Sequence, residues 1–315
     1  MILCIGLTPT VQRTMRFDRF EVGGVNRARE TAVTASGKAV NVARVLTTLG
    51  ADAHLVHPLG GGSGTFVEST LSAEGVAQQV IAAGEDAPTR TCTTLLVTDG
   101  PTTELVEEAR PLSPDVTAAV DAAWRRALPH ARFVCLSGSL APGVGEDFYA
   151  AVVSEARAHG VRAMVDGQKG PLKAALAAHP YLVKPNREEA AATLGLTLAG
   201  EPEADARTAV DALLEAGAEW ALVSMGRAGS LLGGRASAER WRIVPPAVEA
   251  VNPIGSGDSL AAGTVFAHVE KRLPLPDAAA FGTACAAANA LSLTSGVVDP
   301  ADVERLRPEV RLELL

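Results

Sequence analysis

Apolar residues fall along this chain in two alternating rhythms, and their succession predicts a layered α/β fold. Met1 to Leu7 is almost wholly apolar, the pattern of a strand buried on both faces. Ala39 to Leu49 places Val42, Val45, Leu46 and Leu49 on one side of a helix, with Gly50 as its stop. His54-Leu55-Val56 predicts a further strand, and Gly60-Gly61-Gly62-Ser63-Gly64 a loop into a helix from Phe66 to Glu74. The alternation continues, with strands expected over Arg132–Leu136, Arg162–Val165, Tyr181–Val183 and Trp220–Ser224. Helices are expected over Asp115–Ala127, Glu146–His159, Arg187–Leu194, Ala204–Ala216, Ser259–Lys271 and Asp277–Leu293. That order implies a mostly parallel central sheet covered by helices on both faces, a three-layer α/β/α arrangement.

Two stretches break the rhythm, about 11–35 and 88–108. They are richer in Thr and Arg and alternate in polarity, as in Thr91-Cys92-Thr93-Thr94-Leu95-Leu96-Val97. They predict strands outside the main sheet, a small β lid over a site. No Pro/Ser-rich linker and no internal repeat divides the chain, so residues 1–315 are expected to form one domain with that lid.

Composition narrows the function classes. Hydrophobic residues make up 47% and charged residues 20%, which excludes disorder, and aromatics at 4% leave a core of Ala, Val and Leu. A net charge of −8 argues against nucleic acid as a partner, though a few local Arg and Lys residues suffice for a small anionic substrate. Cys4, Cys92, Cys135 and Cys285 are widely spaced with no Cys-x-x-Cys pair, so buried free thiols are expected rather than disulfides or zinc ligands. No apolar run is long enough to span a bilayer and no charged-then-apolar leader is present, so the expectation is a cytoplasmic protein without a membrane partner.

The run Asn252-Pro253-Ile254-Gly255-Ser256-Gly257-Asp258 opens directly into an apolar helix. Small residues let successive backbone N–H groups turn into one hollow, and the helix start adds its dipole, which suits a phosphoryl group. Asp258 is out of place in an anion site unless it acts as a general base on a substrate hydroxyl; its plain alternative is a helix N-cap. Standard nucleotide signatures are missing. Gly37-Lys38 is followed by Ala39 where a P-loop needs Ser or Thr, and the glycines near Gly60 do not complete Gly-x-Gly-x-x-Gly.

Five blocks in order, spread over nearly the whole chain, resemble the ribokinase-like (phosphofructokinase B) family of sugar kinases. Within it the likeness is to the branch of 1-phosphofructokinases and tagatose-6-phosphate kinases. The blocks are Ser36-Gly37-Lys38-Ala39-Val40-Asn41-Val42-Ala43, Ser137-Gly138-Ser139-Leu140-Ala141-Pro142-Gly143, Lys184-Pro185-Asn186-Arg187-Glu188-Glu189, Val223-Ser224-Met225-Gly226 and the Gly255–Asp258 run. The resemblance implies a ribokinase-like fold and an ATP- and Mg²⁺-dependent kinase acting on a phosphorylated ketohexose. It implies Asp258 as base, with the amides of Gly255, Ser256, Gly257 and Asp258 as anion hole. Asn186 and Glu189 would help place Mg²⁺, often through water, and Lys184, Asn186, Ser224, Gly226, Gly229 and Asn289 would lie on the nucleotide side. Arg27 and Arg90 would grip the phosphate already on the sugar, since a guanidinium fork binds two oxygens at once. Lys38 and Ser139 would serve that phosphate or the transferred one, and Gly37 and Asn41 would meet sugar hydroxyls. The family also dimerises through its lid, which the degenerate lid strands here leave open, as the sequence leaves open GTP in place of ATP.

The chain departs from the family at several points. Thr8-Pro9-Thr10-Val11-Gln12 stands where the family has Asn-Pro-x-x-Asp, so Gln12 offers a neutral oxygen and two donors in place of a carboxylate. Val106 replaces a frequent Asn, and Asp166-Gly167-Gln168-Lys169 replaces Asp-Thr-Ser-Gly. These changes leave room for a kinase of a different sugar, or for a sugar-phosphate and nucleotide binder on a kinase scaffold. A hydrolase reading of Gly257-Asp258-Ser259-Leu260 would make Ser259 the nucleophile, yet the sole later histidine, His268, lies within the same predicted helix and has no Asp three before it.

Overall fold

The computed structural model describes residues 1–98 and 100–315. Among these, strands β1 (Ile2–Ile5), β4 (Ala53–Leu59), β5 (Ala77–Ala82), β8 (Phe133–Ser137), β9 (Arg162–Asp166), β10 (Leu182–Val183), β11 (Trp220–Ser224), β12 (Ser230–Gly234), β13 (Arg240–Val244) and β14 (Arg311–Leu314) build one sheet. Its order is β14-β13-β12-β11-β10-β9-β8-β1-β4-β5. Pairing is parallel from β5 to β11 and antiparallel from β11 through β14.

Both faces are apolar because successive strand residues serve opposite layers. On β8, Phe133 and Cys135 join one core cluster while Val134 and Leu136 join the other. The first cluster packs against α1 (Lys38–Thr48), α2 (Gly61–Ala73), α8 (Ser256–Val269), α9 (Leu275–Ala290) and α10 (Pro300–Leu306). The second packs against α3 (Pro114–Ala127), α4 (Phe148–Ala158), α5 (Lys169–Ala177), α6 (Arg187–Leu194) and α7 (Pro202–Glu215). This is the three-layer α/β/α arrangement expected from the sequence. All four cysteines are buried and free. Among the described residues no helix is long and apolar enough to cross a membrane.

A second sheet, ordered β3-β2-β6-β7, holds β2 (Thr10–Phe17), β3 (Glu30–Ser36), β6 (Arg90–Val97) and β7 (Thr103–Val106). These strands fall within the two irregular stretches of the sequence. One local expectation is corrected: the glycines from Gly61 to Gly64 form the first turn of α2 rather than a loop. Gly61 takes a left-handed φ of 61° against Pro88, and the apolar residues Val67 and Leu71 that follow pull the turn into helix. Six elements that the hydrophobic pattern left unmarked also appear, namely β5, α5, β12, β13, α10 and β14.

The parallel strands all end on one edge. Order reverses about β1, which has β4 on one side and β8 on the other, and ligands of open α/β sheets gather at such a switch point. Thr8, Ser137, Asp166, Lys184 and Ser224 sit at or just beyond these strand ends, and His57 lies near the end of β4.

Candidate active site

The helix α8 begins where the sequence places the hollow. Gly255 is its N-cap with φ 84°, a left-handed turn that a side chain would resist. A Cβ there would also meet the Gly296 amide nitrogen at 2.6 Å. The amide of Ser256 donates to Pro253, whereas those of Gly255, Gly257 and Asp258 donate to no acceptor among the described residues. These free donors and the helix dipole make the hollow electropositive.

Asp258 is not the N-cap; it lies three residues into the helix. Its Oδ2 accepts from Asn41 Nδ2 at 2.7 Å, across from α1. Burial and the neighbouring Asp166 push its pKa up to about 6, against the opposing pull of Lys38 and Lys184. Asn41 is itself fixed, since its Oδ1 accepts from Ser36 Oγ at 3.0 Å and Arg44 Nη1 at 3.4 Å. A buried carboxylate near neutrality, held by one oxygen, is equipped to take up a proton.

Two lysines face this carboxylate. Lys38 Nζ donates to Asp166 Oδ1 at 3.0 Å and to Glu189 Oε1 at 2.9 Å. Lys184 Nζ stands 3.1 Å from Asp166 Oδ2. Both ammonium groups hold the fully buried Asp166 carboxyl below the usual carboxylate range despite its burial. Lys184 also lies 3.5 Å from where a Cβ on Gly257 would stand, at the mouth of the hollow.

Asn186 and Glu189 form a capping box on α6: Asn186 Oδ1 accepts from the Glu189 amide at 2.7 Å, and Glu189 Oε2 from the Asn186 amide at 2.9 Å. That leaves Glu189 Oε1 directed at Lys38. Ser224 adjoins Asn186 through a parallel bridge, and Gly226 and Gly229 shape the turn after β11 with φ of 59° and 95°. Asn289, expected on the nucleotide side, is engaged with the loop before α8. It is fully buried beneath the hollow, donating to Ile254 O and accepting from the Gly296 amide at 2.7 Å, so it braces the loop from below.

On the lid side, Arg90 donates to the carbonyls of Thr8 and Glu107, each at 3.3 Å, and lines a cleft with Thr8, Pro9, Gly60 and Arg110. Gln12 is buried on β2, where its Nε2 donates to Thr94 Oγ1 at 2.8 Å, and its carbonyl oxygen takes no donor among the described residues. Ser139 Oγ contacts Thr8 Oγ1 at 3.2 Å. Gly37 adopts φ 113° hard against Thr8 and Pro9. Arg27 lies apart on the exposed β2–β3 loop, with no hydrogen bond or ion pair among the described residues.

The site also includes residues the motif reading passed over. Asp166 ends the apolar strand β9, a polar side chain at a strand's carboxyl end, which is the available signal. His57 lies inside β4, before Pro58 and Leu59, and lines a cavity with Thr8, Gly37, Lys38 and Ser137. Its Nε2 meets Gln78 Oε1 at 2.9 Å, its Nδ1 has no partner among the described residues, and burial pulls its pKa down to about 4. Lys169, where the resemblance places a glycine, takes a left-handed φ of 56° and anchors its amide on Thr193 Oγ1 at 2.8 Å. The hydrolase reading fails on geometry. Ser259 is fully buried against Asn289, while His268 is bonded to Tyr181 and to the Leu273 carbonyl.

A helix-start anion hollow beside a buried carboxylate, at the switch point of a parallel sheet flanked by a second small sheet, has the donors and the carboxylate that phosphoryl transfer calls for. The chain belongs to the pfkB family of carbohydrate kinases, whose model matches residues 1–301, and it is thus a phosphotransferase enzyme. It is 28% identical to a tagatose-6-phosphate kinase of Staphylococcus epidermidis over 288 residues, which cover 90% of this chain and 91% of that one. Its fold superposes on phosphofructokinase-2 of Escherichia coli, in complex with substrates and products, with a TM-score of 0.88, 27% identity and 98% coverage of both chains. Ribokinase of Arabidopsis thaliana shares the fold at a TM-score of 0.75, with 19% identity over 97% of this chain and 98% of that one.

Proposed function

We propose that this chain transfers the γ-phosphoryl group of ATP, with Mg²⁺, to a free hydroxyl of a phosphorylated ketohexose. Fructose 1-phosphate, attacked through its 6-hydroxyl, and tagatose 6-phosphate, through its 1-hydroxyl, are the acceptors this reading favours. Both are furanoses with phosphate and hydroxyl at opposite ends. The observation that carries the reading is the Asp258 carboxylate, buried and raised to about 6, beside three free amides at the start of α8.

In this reading Asp258 takes the proton of the attacking hydroxyl, and Asn41 keeps the carboxylate turned toward the acceptor. The amides of Gly255, Gly257 and Asp258, with Lys184, steady the charge on the moving phosphoryl group. Arg90, with Arg110 along the same cleft, holds the phosphate already on the sugar. Arg27 reaches that phosphate only if its exposed loop moves. Gln12 presents its free carbonyl oxygen to a sugar hydroxyl. Closure of the β lid excludes water as a competing acceptor.

The residues present fit Mg²⁺. Asp166 and Glu189 direct hard carboxylate oxygens at one point, now held by the Lys38 ammonium. Mg²⁺ held by these two carboxylates would keep its remaining ligands as water and phosphate. Asn186 has its side-chain oxygen committed to the capping box, so its part is to orient Glu189 or to act through water. Bound there, Mg²⁺ neutralises charge on the nucleotide phosphates.

The tagatose-6-phosphate kinase relative supports a ketohexose phosphate as acceptor. Six of the exposed large apolar residues, Phe20, Val22, Val25, Val33, Leu105 and Val106, lie on the lid sheet or its loop, which supports dimerisation through the lid. Buried free thiols support a reducing, cytoplasmic setting. The test is a panel of phosphorylated and free sugars in a coupled ADP-release assay with ATP and Mg²⁺. Turnover confined to ketohexose phosphates is the expected outcome. Turnover of another sugar redirects the reading toward Gln12, and binding by calorimetry without turnover sinks it.

A further inference from the structure

Lys38 is the cation that joins the two carboxylates best placed to hold a divalent ion. Its ammonium lies 3.0 Å from Asp166 Oδ1 and 2.9 Å from Glu189 Oε1. Asp166 does not depend on it for a counter-charge, because Lys184 stands 3.1 Å from the other oxygen. With Lys38 taken away, Asp166 keeps Lys184 as its counter-charge, while Glu189 keeps no ion-pair partner among the described residues, so the seat is left with uncompensated negative charge that a metal ion would cancel. Asp166 and Glu189 cannot host both cations on the same oxygens, so ammonium and metal exclude one another there.

Lys38 also has somewhere else to go. It follows Gly37 at the mouth of the site, its side chain is about one-third exposed, and its Cβ lies 3.7 Å from where a Cβ on Gly138 would stand. A four-carbon stem with three rotatable donors reaches either the carboxylates behind it or an anion arriving in front.

On the sugar-phosphate kinase reading above, we propose that Lys38 is a displaceable stand-in cation. It occupies the Asp166–Glu189 seat until the acceptor's phosphate draws it forward, and only then does the seat open to the metal that accompanies the nucleotide. Acceptor binding therefore precedes productive metal–nucleotide binding. Lys38 is a positioning residue in this step, acting on the metal through two carboxylates.

The test needs no turnover. Mn²⁺ is titrated by electron paramagnetic resonance against the full-length protein without nucleotide, as wild type, Lys38→Met and Lys38→Arg, each checked for folding by thermal melt. Lys38→Met is expected to bind Mn²⁺ about tenfold more tightly than wild type, while Lys38→Arg stays weak because a guanidinium still holds both carboxylates. Tagatose 6-phosphate or fructose 1-phosphate is expected to tighten Mn²⁺ binding about tenfold in wild type and leave Lys38→Met unchanged, and Mn²⁺ to tighten the sugar by the same factor. Equal or weaker Mn²⁺ binding by a folded Lys38→Met overturns the proposal. So does a sugar phosphate that is turned over yet leaves wild-type Mn²⁺ affinity unmoved. If neither sugar is turned over, the functional reading fails instead, and the Lys38→Met titration alone decides the part of the lysine.

Discussion

The two sheets of this enzyme are built on opposite plans. The ten-stranded sheet hides Val, Ile and Leu on both faces of its central strands, and Ser137, Asp166 and Ser224 stand at the carboxyl ends of β8, β9 and β11. The four-stranded sheet hides Thr10, Gln12, Thr14, Thr34, Ser36 and Thr94, and leaves Val33, Leu105 and Val106 in the open. Beside Phe17, Ala35, Leu95 and Leu96 the smaller sheet thus buries a set of hydroxyls, which add little hydrophobic stabilisation of their own. The first sheet reads as a frame for charges and the second as a cover, with Val33, Leu105 and Val106 exposed on it.

If this division is real, damage to the frame strikes chemistry or stability, and damage to the cover strikes binding. The largest effect is expected from Asp258→Asn, with kcat about 10³-fold lower and an unchanged circular dichroism spectrum. For wild type, kcat/KM is expected to fall as pH drops below about 6, where Asp258 takes up its proton. Turnover of the Asn variant within tenfold of wild type would remove Asp258 as base.

Stability comes next. Leu136→Ala in the frame is expected to cost about 2–5 kcal/mol in urea unfolding, against about 0.5 kcal/mol or less for Leu105→Asn on the cover. Equal costs would erase the contrast between the sheets. His57 tests the frame by acid. Burial lowers its folded pKa to about 4, while the unfolded imidazole protonates near its ordinary value of 6.5. The unfolded chain therefore binds more protons across that window, and stability is lost as pH falls through it, by about 3 kcal/mol at most. Asp258 works in the opposite sense between about 4 and 6, its folded form binding the extra proton. The difference between wild type and His57→Phe, measured by urea unfolding at several pH values, isolates the histidine; parallel pH curves for the two would contradict it. Smaller still, Arg90→Ala is expected to raise KM for a phosphorylated sugar about tenfold with kcat little changed. An unaltered KM would place that phosphate elsewhere.

Much of the frame was legible because its strands are short apolar runs and its helices carry one-sided patterns. The Arg187–Leu194 helix and the Trp220–Ser224 strand fall where periodicity puts them. Strand β5 was hidden, since Ala77-Gln78-Gln79-Val80 lies at a sheet edge with one face half wet and offers no clean apolar run. Strands β12 to β14 escaped for a related reason: Gly233 and Gly234 carry no side-chain pattern, and Arg240 to Val244 puts charges on an outer strand. The site was legible as a set of motifs but not as a network. Nothing in the spacing of Lys38, Asp166 and Glu189 announces that one ammonium serves both carboxylates, because those contacts join residues 128 and 151 positions apart. Asn289 and Arg27 show the converse limit. A motif position says which segment comes near a site, and only packing decides whether its side chain looks in, down or away.

Gly296 touches more of this molecule than its size suggests. Its amide is bonded to Asn289, it lies under Gly255, and a Cβ there would strike the Asn41 side chain at 2.5 Å. Three distant stretches of chain thus share one crowded crossing with no slack for an added carbon. For anyone wishing to retrain this enzyme on a new sugar, that crossing marks ground to leave untouched. Randomised libraries belong on the cover, at Gln12 and its neighbours on β2 and β6, where variety can be tried without dismantling the machinery underneath.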